Sequence, residues 1–401
     1  MIVYPILSTI VFGLWRRVAK AGSWITKVQA DSTWKQHPPL QGKVIWMHCA
    51  SLGEFEMGRP VLEQFMDTHQ QWQAVVTFFS PSGYEPRKSY NRATVHYLPI
   101  DTPAEVKKWL SYCNPSLAVF VRYDLWPNHI NGLRRHRIPT VVMAMSATKS
   151  PWYLSRTLPL VRSIFRKAVT TWGVVSDSDA GAISLAGIHS EVLGNPKYDY
   201  AAGLVGRDVS EKFLSWKNAQ NKPVLLVGSA HASDCDALQG ANLANFSVWV
   251  VPHEINETKM LGTRLKQHLT GQLHDSTMDE PQATDVLMVP EFGILSGLYS
   301  LADAVLIGGG WDKSTHNVLE ATAQGKVVAC GPNWQRIAEN HDLVKDGFLY
   351  PIESSLHWNN YLLRVGTDEF IQQGMNAQAW MLKQRGASEK IVKVLEEAVQ
   401  L

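Results

Sequence analysis

The amino-acid sequence predicts an α/β protein made of two Rossmann-like domains, each built on a doubly wound parallel sheet. Two observations carry this prediction. Short apolar runs alternate with longer amphipathic stretches, and 401 residues with 45% hydrophobic content exceed what one ordinary core accommodates. Strands that alternate with helix-length segments pair in parallel through right-handed crossovers, which gives a doubly wound sheet.

The predicted strands fall into two groups, separated by a polar stretch at residues 203–222. The apolar runs are 44–48, 74–79, 118–121, 140–145 and 171–175 in the first group, and 224–227, 248–251, 286–289, 304–307 and 327–330 in the second. We therefore predict one domain at 31–210 and another at 211–401, and leave open that the last helix packs back on the first domain. Ligands are expected in a cleft at the carboxyl ends of both sets of strands.

The N-terminal segment, residues 1–30, is predicted to associate with a membrane surface. Its first fifteen residues are almost wholly apolar but fall short of the roughly 20 that a spanning helix needs. Between positions 16 and 43 there are six basic residues and one acidic residue, which suits docking on anionic headgroups. The alternative is that Ile2, Ile6, Ile10 and Leu14 pack on the body of the protein. The positive charge follows the apolar run, unlike in a signal peptide, so we expect a cytoplasmic protein.

Composition argues against other classes of function. A net charge of +2 gives no general reason to expect a nucleic-acid partner. The four cysteines lie far apart, which argues against a disulfide framework or a zinc finger. The sequence has no HxxxH motif, no DxD motif with accessory ligands and no Cys/His cluster, so we expect no metal and no other cofactor.

In the first half, polar residues follow the predicted strands. Glu54 begins a helix directly after a strand and a turn, where a carboxylate could accept a proton from a hydroxyl; the alternative is an ordinary first-turn glutamate that satisfies the helix dipole. Arg122 and Asp124 end another strand and are either functional or an internal ion pair. Ser82 and Gly83 follow a third strand and could offer donors to an anion.

In the second half, three segments carry polar residues at predicted strand ends. Glycines let backbone amides approach an anion, so we expect a phosphate cradle between the triple glycine and a helix starting near His316, with Glu320 accepting the ribose hydroxyls. The alternative is a glycine turn with a capping histidine. The candidate nucleotide-binding residues are Gly228, Ser229, His231, His253, Glu254, Gly308, Gly309, Gly310, His316, Asn317 and Glu320.

Taken together, these segments resemble the Kdo transferases, the family that attaches 3-deoxy-D-manno-octulosonic acid (Kdo) to lipid A precursors. SLGEFEMGRP is similar to the family's glycine-glutamate motif and DLWPN to its TELWPN-type segment. GSAH, PHE and HNVLE resemble the three stretches that hold CMP. The chain departs from the family at Arg122, where many members have glutamate, and between Pro252 and His253, where an arginine is missing.

The resemblance implies two facing Rossmann-like domains of the GT-B type. It also implies an inverting, metal-independent transfer of Kdo from CMP-Kdo to a lipid A precursor, at the cytoplasmic face of the bacterial inner membrane. Glu54 would be the general base, and Asp124 is the second carboxylate considered for catalysis. Two alternatives stay open at this point: a UDP-sugar-dependent transferase or epimerase of the same architecture, and a catalytically silent, membrane-tethered nucleotide-sugar binding protein.

Overall fold

The chain forms two compact units, Met1–Tyr200 with Gln384–Leu401, and Ala201–Lys383. The computed structural model of the protein describes residues 33–146, 152–155 and 157–400, together with Tyr4, Ser8, Thr9, Lys27 and Val28. Each unit contains one parallel sheet with helices, which confirms the predicted pair of Rossmann-like α/β domains.

The first unit is built on a seven-stranded parallel sheet with the strand order β3-β2-β1-β4-β5-β6-β7. Its central strand, β4, is wholly apolar and buried along its length, as expected for an all-parallel sheet. The strands are β1 (Lys43–Cys49), β2 (Trp72–Phe78), β3 (Thr94–Tyr97), β4 (Leu117–Val121), β5 (Thr140–Met145), β6 (Thr171–Val174) and β7 (Glu191–Val192). The helices are α1 (Leu52–Thr68), α2 (Pro81–Arg87), α3 (Pro103–Cys113), α4 (Pro127–Arg135), α5 (Pro159–Ala168), α6 (Asp177–Ser184) and α7 (Lys197–Ala202).

The second unit contains another seven-stranded parallel sheet, with the order β10-β11-β9-β8-β12-β13-β14. The strands are β8 (Val224–Ala230), β9 (Ser247–Pro252), β10 (Leu273–Asp275), β11 (Val286–Met288), β12 (Ala304–Ile307), β13 (Val328–Cys330) and β14 (Leu349–Pro351). The helices are α8 (Glu211–Asn218), α9 (Ala232–Ala237), α10 (Thr258–His268), α11 (Leu295–Leu301), α12 (Leu319–Ala323), α13 (Ala338–Lys345), α14 (Ser355–Arg364) and α15 (Asp368–Lys383).

The division between the units differs from the predicted boundary at 210/211. It lies between Tyr200 and Ala201, and the final helix α16 (Ala387–Gln400) belongs to the first unit, as do all residues from Gln384 onward. Ile391 and Leu395 of α16 are fully buried in the core that also contains Phe65 of α1. This amphipathic face needed an apolar partner, and α1 together with the sheet of the first unit supplies it.

A half-buried carboxylate, that of Asp199, fixes the start of α16. Asp199 accepts hydrogen bonds from the backbone amides of Gly386 (2.7 Å) and Ser388 (2.9 Å) and from the Ser388 hydroxyl (3.1 Å). Backbone amides at a helix start have no partner within the helix, so a carboxylate placed there is stabilising. The connection from α15 to α16 is thereby tied to the first unit.

Two residues near the amino terminus contact the first unit. The Tyr4 hydroxyl donates to Asp101 (3.0 Å), and the Asn128 amide donates to the Ser8 hydroxyl (3.0 Å). Most of the apolar run, including Ile2, Ile6, Ile10 and Leu14, lies outside the described residues, as do Arg16, Arg17 and Lys20, whereas the basic residues Lys27, Lys35 and Lys43 are described. Among the residues that are described, no helix is both long enough and apolar enough to cross a membrane.

We predict that Leu395→Ala destabilises the first unit, because it removes a fully buried side chain and leaves a cavity. The free energy of unfolding should fall by about 2–5 kcal/mol. Hydrogen exchange should quicken in β1 and β4 and stay unchanged in β8 and β12. Glu397→Ala, an exposed change on the same helix, is the control and should cost less than about 0.5 kcal/mol. Faster exchange confined to residues 201–383 would contradict the placement of α16.

Candidate functional site

The strand order of each sheet reverses beside its first strand, and the sequence-predicted residues gather at these two points. In the first unit the reversal lies between β1 and β4, and in the second between β8 and β12. Crossovers leave in opposite directions there, which opens a crevice at the carboxyl ends of the strands. Glu54 and Asp124 follow β1 and β4, whereas His231 and the triple glycine follow β8 and β12.

Glu54 lies in the first turn of α1 and bends back toward the preceding turn. Its Oε2 atom accepts a hydrogen bond of 2.5 Å from the Ala50 amide, which precedes the helix. Burial raises the pKa of Glu54 and the Asp124 carboxylate raises it further, while the Ala50 amide, His48 and Arg122 lower it. The net pKa is raised, which is the direction that suits a general base working near neutral pH.

Asp124 is held by a chain of hydrogen bonds that the sequence analysis missed. Its Oδ2 atom lies 2.9 Å from Nε2 of His48, a buried histidine within β1. The other ring nitrogen of His48 contacts the Thr77 hydroxyl (2.9 Å), which accepts a further bond from the Trp46 indole (2.9 Å). One signal for this arrangement was available, since His48 interrupts an otherwise apolar strand. A polar side chain in such a strand requires a partner.

Arg122 is strained and incompletely bonded. Its φ of +64° lies in the left-handed region that non-glycine residues rarely adopt. Its Nε atom is buried and has no hydrogen-bond partner within the described part of the chain. Asp124 pairs with His48, so the internal ion pair between Arg122 and Asp124 considered from the sequence is absent from the described ion pairs. A strained, unsatisfied guanidinium beside Glu54 is a candidate for holding an anionic group.

The turn before α2 uses its donors internally. The Ser82 amide donates to the Ser80 hydroxyl (3.2 Å) and the Gly83 amide to the Ser80 carbonyl (3.1 Å). A Cβ atom at Gly83 would lie 2.2 Å from the Phe78 ring, so the glycine is needed for packing. The Ser82 hydroxyl lies 3.0 Å from the Ser80 hydroxyl, so it too has a partner within the turn, as the two amides do.

The triple glycine serves close packing rather than the expected phosphate cradle. The Gly308 amide donates to the Gly228 carbonyl (2.9 Å), and the Gly309 amide donates to the buried Asp234 carboxylate (2.9 and 3.1 Å). A Cβ atom would lie 2.3 Å from the Ser229 carbonyl at Gly308, and 2.4 Å from the Gly331 amide at Gly310. The expectation that the amides of Gly308 and Gly309 face an anion is therefore wrong, because they donate to the Gly228 carbonyl of β8 and to Asp234.

The helix expected near His316 begins at Leu319 and contains five residues. Asn317 precedes it and accepts a hydrogen bond from the Leu319 amide (3.2 Å). The Asn317 side-chain amide also donates to Oε1 of Glu320 (3.0 Å). Asn317 therefore orients the Glu320 carboxylate, which is half-buried in the first turn of α12.

Three histidines from separate segments meet at the carboxyl edge of the second sheet. His231 follows a register shift in β8, and its Nε2 atom lies 2.8 Å from Nε2 of His316. The exposed His253, which Glu254 follows in the chain, stacks on His316 with ring centroids 4.3 Å apart and lies tilted against His231 with centroids 4.6 Å apart. Burial lowers the pKa of His316 to about 4, helped by the two neighbouring rings, and lowers the pKa of His253.

Comparison with known proteins shows that part of the chain is similar to one protein family. Residues 23–200 match the family described as 3-deoxy-D-manno-octulosonic-acid transferase (kdotransferase). The chain is 27% identical over 316 residues to a 3-deoxy-D-manno-octulosonic acid transferase of Haemophilus influenzae, covering 73% of this chain and 71% of the relative. It is 23% identical over 309 residues to a bifunctional glycosyltransferase/methyltransferase of Fusobacterium nucleatum, covering 74% of this chain. The chain spans about half, 48%, of that relative's length.

A solved structure of UDP-GlcNAc 2-epimerase from Neisseria meningitidis, bound to UDP-GlcNAc, shares the fold. It superimposes with a TM-score of 0.61 and 14% identity, over 89% of this chain and all of the other. At this identity the likeness concerns the fold alone, and it agrees with the predicted GT-B type of architecture.

We predict that Glu54→Gln stabilises the protein at neutral pH. Burial holds the folded-state pKa of Glu54 above the unfolded value, so above that folded-state pKa the native protein contains a costly ionised carboxylate. Below the unfolded value, about 4.3, the group is protonated in both states and the cost disappears. The variant should melt at a higher temperature than the wild type near pH 8, and the gap should close toward about pH 4.

Calorimetry at several pH values measures this difference. Glu397→Gln changes an exposed carboxylate and is the control, which should show no comparable pH-dependent gap. A Glu54→Gln protein that melts below the wild type at neutral pH would mean that the carboxylate acts mainly as a structural cap.

Proposed function

We propose that this chain is a glycosyltransferase that transfers Kdo from CMP-Kdo to a lipid A precursor with inversion at the anomeric carbon. The match of residues 23–200 to the kdotransferase family and the similarity to curated Kdo transferases support this proposal. The observation that carries the mechanism is the buried Glu54 carboxylate at the reversal point of the first sheet, with its raised pKa. We assign deprotonation of the acceptor to the first unit and binding of the nucleotide to the second.

In the first unit, Glu54 acts as the general base. It accepts the proton of an acceptor hydroxyl, whose oxygen then bonds to the anomeric carbon of Kdo while the bond from that carbon to the CMP phosphate oxygen breaks. The phosphate leaves with the bonding electron pair, and attack from the opposite side inverts the configuration. A carboxylate with a raised pKa binds this proton more readily than an ordinary glutamate.

Two neighbours support this role. Asp124, fixed by His48 and Thr77, keeps a negative charge near Glu54 and so helps to raise its pKa. The unsatisfied Arg122 guanidinium supplies a positive charge for an anionic group of the acceptor, such as a phosphate. The Ser82 hydroxyl would reach the same ligand by exchanging its contact with the Ser80 hydroxyl for one with the ligand.

In the second unit, Asn317 and Glu320 hold the ribose. The histidine cluster, formed by His231, His253 and His316, holds the phosphate. Glu320 is oriented by Asn317, and a carboxylate is an acceptor only, so it suits two hydroxyl donors. Because the amides of Gly308 and Gly309 are engaged, the proposed phosphate contact falls to the histidine rings, at ring nitrogens other than the two Nε2 atoms that share a proton between His231 and His316. In this scheme the transfer needs neither a metal nor another cofactor.

We also propose that the enzyme works on the anionic cytoplasmic surface of the inner membrane, where a lipid acceptor is found. The apolar first fifteen residues and the basic residues after them support this placement.

The proposal is tested by incubating the purified full-length protein with CMP-Kdo and a lipid A precursor in detergent and following labelled product. The wild type should form product, and Glu54→Gln should lower turnover at least about 100-fold with little change in CMP affinity, because the base is lost while the nucleotide contacts remain. Glu63→Gln, on the same helix, is the matched control and should behave like the wild type. Near-normal turnover in folded Glu54→Gln would transfer the base role to Asp124.

A second prediction concerns the ribose contact. Glu320→Ala should weaken CMP binding by about 1–3 kcal/mol, the usual range for losing a hydrogen bond to a charged group. Calorimetric titration with CMP and with 2′,3′-dideoxy-CMP measures it. The wild type should prefer CMP, and the variant should bind both nucleotides equally. A variant that still prefers CMP would place the ribose contact elsewhere.

A further inference from the structure

The histidine cluster, His231, His253 and His316, has the composition of a metal site. One ring nitrogen from each residue can be chosen so that all three lie within 4.8 Å of one another. The residues come from the ends of β8 and β9 and from the loop before α12, so they are held on separate, well-fixed elements of the second unit. Three histidines with one open position is the ligand set of exchangeable and catalytic zinc sites.

The contact between His231 and His316 requires something between the two nitrogens. Two Nε2 atoms 2.8 Å apart must share a proton, since two lone pairs at that distance repel. A metal ion can take the place of that proton. Zinc–nitrogen bonds of 2.0–2.1 Å in a tetrahedral site place ligand nitrogens about 3.4 Å apart, so a small opening of this pair admits the ion.

The third ligand is free to adjust. The rings are stacked, with interplanar angles of 13° between His231 and His316 and 18° between His253 and His316, so binding needs a ring rotation that turns the lone pairs onto one point. His253 is exposed and can rotate about its side-chain bonds without disturbing the core.

Charge around the cluster favours a cation. The carboxylates of Asp312, Glu254 and Glu257 act electrostatically on His316 and His253.

We propose that His231, His253 and His316 bind a divalent transition-metal ion of the zinc type, and that the bound ion competes with the nucleotide phosphate for the same histidines. The ion then acts as an inhibitor of a transferase that needs no metal. Competition rests on the proposed function, because it requires the phosphate to use these rings, whereas metal binding itself does not.

Cobalt(II) is the probe, because imidazole ligands suit zinc-like ions and tetrahedral cobalt(II) absorbs visible light. Full-length protein freed of metal by a chelator is titrated with Co²⁺ and then with Zn²⁺. We expect a visible band that saturates at one Co²⁺ per chain and is abolished by one equivalent of Zn²⁺. His253→Ala and His316→Ala should each weaken Co²⁺ binding at least about tenfold, since losing a ligand exceeds the loss of an outer partner.

His341→Ala removes an exposed histidine elsewhere in the second unit and is the matched control, which should bind Co²⁺ like the wild type. His253 is exposed, so its variant is expected to fold and keeps the test decisive even if His316→Ala does not fold. The absence of a tetrahedral cobalt band in the wild type, or a band that persists unchanged in His253→Ala, would overturn the site.

Competition is measured by titrating CMP with and without one equivalent of Zn²⁺. We expect the CMP affinity to fall at least about tenfold with Zn²⁺ present, and to be insensitive to Zn²⁺ in His253→Ala. Equal CMP affinity with and without bound metal would overturn the competition. A failure of the metal-free wild type to transfer Kdo would instead count against the proposed function, and the cobalt result would stand on its own.

Discussion

Parallel pairing of strands that are buried on both faces is the constraint from which the sites follow. β1 and β4, like β8 and β12, run side by side in the same direction, so every connection must return across a face of the sheet. All carboxyl ends then lie at one edge, and the residues that follow them are neighbours in space although distant in sequence. Glu54 and Asp124 meet in this way, and so do the three histidines of the second unit.

The fold could be read from the sequence because its signal is repeated: buried parallel strands appear as continuous apolar runs, and each run reinforces the others. The strands that escaped prediction are short and lie at or near sheet edges, such as β7 (Glu191–Val192) and β10 (Leu273–Asp275), whose residues are exposed or half-buried. The position of α16 was anticipated only as one possibility, for another reason. The amphipathic pattern of a helix predicts that one face packs on an apolar surface, but it does not identify the sheet that provides this surface.

The sequence predicted most residues of the candidate sites, but it predicted few of the contacts that these residues make. Periodicity alone was enough to predict that Glu54, Asp124 and the histidines follow strand ends. The glycine segment shows the limit, because whether an amide is free depends on a tertiary partner, and Asp234 lies 75 positions away from the Gly309 amide that it binds. His48 was missed for the same reason: its partners Thr77 and Asp124 come from two other segments.

The placement of α16 also bears on how the chain reaches its native state. The first unit is discontinuous, with residues 201–383 inserted between its two parts. During synthesis on the ribosome, the seven strands of the first unit emerge before the helix that completes their core. While about 180 further residues are being synthesised, the apolar surface near α1 that α16 will cover has no partner. The inserted unit is one continuous segment, so all of its strands and helices are synthesised before α16. The inserted unit is thus able to complete its folding first. Chaperones that bind exposed apolar surface would remain bound to the first unit for longer than to the inserted unit.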